Sequence, residues 1–200
     1  MRLKLLYCTL NTNTIFMKKI LAATIFILLT AGALVAQKLR AIDKSPMDMA
    51  YYPDNFAHDR KTGDKAIIRI TYGRPAKNGR VIFGQLVPYN AVWRTGANEA
   101  TEIKLYEAIE LAGQKIKAGS YALFSIPGEK EWTIILNSDL DYWGAYSYKP
   151  SHDVLRINAP VNTLTETVEN FTIQFEKKGI NDGVMKLAWD NTFVTVPFKL

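Results

Sequence analysis

The chain has one cysteine, Cys8, and two histidines, His58 and His152. Cysteine this scarce excludes a disulfide framework and a thiolate metal site. Cys8 also lies ahead of the expected cleavage position, so the remainder has no cysteine nucleophile and none to carry a lipid after the apolar run. Other signatures of chemistry are missing: no G-x-S-x-G elbow, no H-E-x-x-H, no P-loop and no dinucleotide fingerprint. Internal repeats, low-complexity tracts and Pro/Gly/Ser linkers are absent, and no segment beyond residue 36 sustains a helical period.

Excess positive charge is also scarce once it is located. The formal charge of +6 comes from 25 basic and 19 acidic residues. Arg2, Lys4, Lys18 and Lys19 all precede residue 36, where no acid occurs; setting these four aside leaves 21 basic against 19 acidic, a charge of +2. That balance gives no footing for nucleic acid.

The early basic residues belong to a targeting pattern. Met17-Lys18-Lys19 is a short positive region, residues 20–35 are apolar, and the small residues Ala31, Ala33 and Ala36 follow. This is the layout of a secretory signal peptide, with cleavage expected after Ala36 or Ala33 and translation starting at Met17 or Met1. The apolar run falls short of the roughly 20 residues of a spanning helix. The expectation is a periplasmic or secreted protein with no membrane span after cleavage, and its oligomeric state is left open.

The expected organisation is a signal region over 1–36, an irregular N-terminal arm over 37–64 and one domain over 65–200. In that domain the apolar residues alternate with period two, as in half-buried strands. Ile68, Ile70 and Tyr72 share a face, as do Phe171, Ile173 and Phe175 opposite Thr172, Gln174 and Glu176. Residues 121–126 are apolar on both faces and read as a central strand. Ala112-Gly113, Ala118-Gly119, Pro127-Gly128 and Asp182-Gly183 supply turn chemistry, and Asp190-Asn191 reads as a two-residue hairpin. Residues 81–86 fit a single helical turn. Nine or ten strands at this spacing predict an all-β, mostly antiparallel sandwich.

Residues 72–101 break the alternation: YGRPAKNGRVIFGQLVPYNAVWRTGANEAT. Four glycines alternate with Arg74, Lys77, Arg80 and Arg94, and Trp93 stands among them. Glycine lets backbone N–H groups approach an anion, and guanidinium grips carboxylate or phosphate in a fork. Thr95, Asn98 and Glu99 add donors, acceptors and a carboxylate. The pattern admits two readings. One is a polar pocket for an anionic or hydroxyl-rich ligand. The other is a long loop pinned by Arg94 to Glu99 or Glu102. A second cluster, residues 141–148 (DYWGAYSY), places Trp143 and three tyrosines around Gly144; its rings suit either a sugar platform or a cap on the core.

The 72–101 string, followed by AGSYALFSIPGEKEWTIILN and LAWDNTFVTVPF, resembles domain-of-unknown-function family 2911, a set of exported bacterial proteins, over residues 45–198. The resemblance implies a single exported domain and marks residues 72–101 as the hallmark. It carries no activity or catalytic residues. Asn90 stands where glycine is expected, a mild departure because asparagine tolerates positive φ.

The expected function is a non-catalytic, exported binding module for a glycan or small anionic ligand. Its candidate residues are Arg74, Arg80, Trp93, Arg94, Thr95, Asn98, Glu99 and Trp143. No cofactor is expected. The alternatives are a hydrolase using Glu99 or Asp141, or a metal held by His58 and His152, and a structural or envelope-assembly protein with no small-molecule site.

Overall fold

A computed structural model describes residues 16–21, 39–54 and 59–200. The chain divides into two units, Met1–Ala41 and Ile42–Leu200. In the first, residues 16–21 are helical. The remainder of the apolar targeting run, 22–36, lies outside the described residues, and no described helix is long and apolar enough to cross a membrane.

The second unit is two antiparallel sheets. The larger takes its strands in the order β1 (Met47–Tyr52), β2 (Ile68–Gly73), β3 (Thr101–Leu105), β6 (Gly119–Pro127), β7 (Glu131–Asn137) and β8 (Asp153–Pro160). The smaller runs β5 (Gln114–Ile116), β4 (Ile109–Leu111), β10 (Asp182–Lys199) and β9 (Asn162–Lys177). This is the expected all-β sandwich, with ten strands among the described residues. Ile68, Ile70, Ile103, Leu123, Ile134 and Leu136 of one sheet share a core with Phe171, Ile173, Leu187, Val194 and Val196 of the other. Each of these inward residues is nearly sealed from water, and its sequence neighbours lie on the other face of its sheet.

Three local expectations are corrected. First, the arm contains β1, which pairs Ala50 with Ile70 and Tyr52 with Ile68 and sends both side chains into the core. Second, Asp190-Asn191 is not a hairpin. β10 runs straight through it, and Asp190, at φ +55°, sits opposite Val168 between two register shifts. A left-handed residue suits a bulge as well as a turn. Third, residues 81–86 form no helix. Val87 N–H donates to the Ile82 carbonyl and Gly84 N–H to Val87, closing an irregular turn.

β6 is central, as its sequence predicts. Its inward face meets the main core, while Ala122 and Phe124 on the outer face form a second cluster with Ile135 of β7. Val92, Ala100, Tyr142, Ala145 and Tyr148 pack onto that cluster. The segments that cover the outer face are therefore the two clusters singled out by sequence.

Residues 75–77 lie along β9. Phe171 N–H donates to the Pro75 carbonyl, Lys77 N–H donates to Glu169, and Ala76 bridges Asn170.

Candidate functional site

The 72–101 segment departs from strand geometry at defined residues. Asn78, Asn90, Thr95 and Asn98 all take positive φ, as do Gly79 and Gly84. Asn90 at φ +60° bears out the tolerance expected of asparagine there. Thr95 is the costly one, because a β-branched side chain is strained at φ +53°. Burial and hydrogen bonds hold it: its hydroxyl lies 2.9 Å from that of Ser125, and its carbonyl accepts from the Thr101 hydroxyl at 2.7 Å. Thr95 is fully buried and so acts on the shape of the loop, not on a ligand.

Trp93 is likewise internal. It pairs its backbone with Ser125 of β6, at 2.7 and 2.9 Å, where β3 has ended. Its ring stacks on Trp189 (centroids 6.1 Å apart, interplanar angle 17°), and its Nε1 donates to the Gly96 carbonyl at 3.0 Å. Trp93, a candidate ligand residue by sequence, is therefore held mainly in the core.

The arginines divide into two kinds. Arg74 is committed: Nη1 meets Asp48 at 2.8 Å and Nη2 donates to the Thr172 hydroxyl at 2.9 Å, tying β2 to the opposite sheet. Lys77 is similarly engaged, 3.3 Å from Asp190. Arg80 and Arg94 have no acid partner among the described residues. Arg80 is exposed and is tethered by the Lys77 and Ala76 carbonyls. Among the described residues Arg94 has no side-chain hydrogen bond or ion pair, and its Nε is sealed from solvent without an acceptor. The alternative in which Arg94 pins the loop to Glu99 or Glu102 is therefore not realised.

Arg80 and Arg94 line one cleft of about 340 Å³, with Ser45, Asn98 and Trp189 around it. No residue lining it is acidic. Asp43 touches the rim, where the Asn98 amide donates to it at 3.0 Å. The Ser45 N–H and then Asn98 hold its carboxyl below the usual range.

The aromatic cluster lies directly beside this loop. Glu99 and Trp143 bridge antiparallel; Ala100 N–H donates to the Tyr142 carbonyl and Gly144 N–H to Asn98, both at 2.9 Å. Trp143 is 61% exposed. On the outer face of the large sheet, a second groove of about 480 Å³ is lined by Trp143, Glu99, Asp141 and Glu102, with Arg69 and Thr71 of β2. Sequence reading missed Arg69 and Thr71. The outward phase of β2, opposite Ile68 and Ile70, was the signal that could have located them.

Two carboxylates anchor the aromatic loop. Asp139 takes the Tyr142 hydroxyl and lies 2.6 Å from His152 Nδ1. Asp153 takes the Tyr148 hydroxyl at 2.6 Å and Arg156 at 2.7 Å. His152 is thus a loop anchor, and His58 lies outside the described residues. Among the described residues no group of three or more potential ligands could hold a metal.

The Tyr142 hydroxyl, aided by His152 and Lys149, lowers Asp139 from its ordinary 3.8. A lowered carboxyl stabilises the fold above 3.8, and that contribution is lost as pH falls through the folded value. The melting-temperature gap between wild type and Asp139→Asn is expected to be full near neutral pH and to close on acidification below 3.8. Burial, then Asp153, pushes Tyr148 up to about 12 from 10.0. Its contribution has the opposite sense, present below 10.0 and lost as pH rises toward 12.

A family model described as "Protein of unknown function (DUF2911)" matches residues 54–198. Comparison with curated proteins and with solved structures returned no match.

Proposed function

Because the chain belongs to the DUF2911 family, whose description assigns no activity, we propose a function from the site: an exported, non-catalytic module that binds a small anionic ligand between Arg80 and Arg94. The observation that carries this reading is the Arg94 guanidinium, held in a cleft without an acid partner. Part-buried, unpaired charge is unfavourable. A carboxylate or phosphate entering the cleft would be gripped by the terminal nitrogens of that planar guanidinium through two parallel bonds. Asn98 and Ser45 offer further polar contacts from the rim. The strained Thr95 next to Arg94 supports the same reading, since backbone strain clusters at ligand clamps. Export rests on the Met17-Lys18-Lys19 pattern and the apolar run that follows it.

The test is calorimetric titration of the full chain with phosphate, sulfate, citrate and a hexose phosphate. Arg94→Ala is expected to weaken the bound anion about 10- to 100-fold, the equivalent of one or two charge-assisted hydrogen bonds. Its melting temperature should stay level or rise, because the variant removes an unpaired charge. Unchanged affinity in Arg94→Ala would sink the proposal.

A further inference from the structure

We infer that the groove on the outer face of the large sheet is a second, independent binding site, for an uncharged glycan with one pyranose ring stacked on Trp143. Four tryptophans occur in the chain. Trp93, Trp132 and Trp189 are at most 8% exposed, whereas Trp143 is 61% exposed. Leaving so much indole in water is unfavourable unless something covers it.

The backbone that carries the ring is also preset. Its backbone bridges Glu99, and the residues on either side of it are hydrogen-bonded to Ala100 and Asn98. Such a platform loses little entropy on binding. The groove floor is the pleated face of β2, β3 and β6, carrying Thr71 and Ala122, and Met47 of β1 stands at its edge. This mainly flat surface suits the C–H face of a sugar.

Hydroxyl partners stand around it. Glu99 and Asp141 make no side-chain hydrogen bond or ion pair among the described residues, so both carboxylates are free to accept. Arg69 is only loosely paired with Glu102, Nη2 standing 4.0 Å from the carboxylate, so its terminal nitrogens remain able to donate. Carboxylates accepting from hydroxyls form short, charge-assisted bonds. Their negative charge disfavours an acidic ligand, so this groove and the Arg94 cleft select different chemistry. Glu99 and Asp141 are exposed, so attraction to a cation there is screened by water and salt.

The experiment is titration of the full chain with cellohexaose, xylohexaose, mannohexaose and chitohexaose. It is read by tryptophan emission and acrylamide quenching for wild type and by calorimetry for variants. At least one oligosaccharide should shift the emission saturably and shield the exposed indole. Trp143→Ala should abolish binding, Trp143→Tyr should retain it, and Glu99→Gln should weaken it about tenfold. Arg94→Ala should leave it unchanged, which separates this site from the anion cleft. The inference is overturned if no oligosaccharide binds, or if Trp143→Ala binds as wild type does. It is also overturned if spermine alone shifts the emission and salt abolishes the effect, because the groove would then be a cation site.

Discussion

Gly73→Ala is expected to destabilise the fold by more than about 3 kcal/mol, at the upper end of overpacking effects. A β-carbon on Gly73 would lie 2.2 Å from the Ala97 carbonyl oxygen and 2.9 Å from its carbon. Those are backbone atoms, and no rotamer change relieves the contact. The two segments cannot part either, because Ala97 N–H donates to the Gly73 carbonyl at 3.2 Å and Gly73 pairs with Met47 on its other side. For a chain of this size the loss corresponds to a melting temperature roughly 6–12 °C lower. Gly79→Ala is the control. Gly79 has φ +69° and nothing within 4 Å of the added carbon. It should cost only the left-handed penalty of about 1–2 kcal/mol. Equal effects at the two glycines, measured by urea unfolding, would contradict the close approach at Gly73.

Trp93→Ala should cost about 3–5 kcal/mol, whereas Trp143→Ala should change stability by no more than about 0.5 kcal/mol. The Trp93 ring lies 5.0 Å from Phe171 and 6.0 Å from Trp132, each edge-on, in addition to its stack on Trp189. Truncation opens a cavity among these three rings and Phe83, whose ring centroid is 6.2 Å from that of Trp93, and strips the Gly96 carbonyl of its donor. The cavity adjoins the anion cleft, so ligand affinity should fall together with stability. Urea midpoints for the two variants check this. If Trp143→Ala proved the more damaging, the assignment of one indole to the core and the other to the surface would fail.

The strands most legible in sequence are those with one face in water. Phe171, Ile173 and Phe175 alternate cleanly with polar residues because the outer face of β9 is exposed. The first half of β9, residues 162–169, went unread because it buries little and is held by pairing with β10. β1 was obscured for another reason. Met47, Met49 and Tyr51 are apolar residues on the outward face, so they erase the alternation that Ala50 and Tyr52 would show. At the site, the cations and the glycines of 72–101 were visible. Which arginine had an acid partner was not, since Asp48 and Thr172 reach Arg74 from distant strands. The meeting of Glu99 with Trp143 is a long-range pairing and leaves no local trace.

The contact of residues 75–77 with β9 has a consequence for solubility. A strand at the margin of a sheet offers unpaired backbone groups to any other extended chain. Here Pro75 and Lys77 occupy the bonds of β9 around Asn170, and the proline adds no donor of its own. The 72–101 loop thus serves as a selvedge for the smaller sheet, blocking part of the border where a second molecule could begin to add a strand.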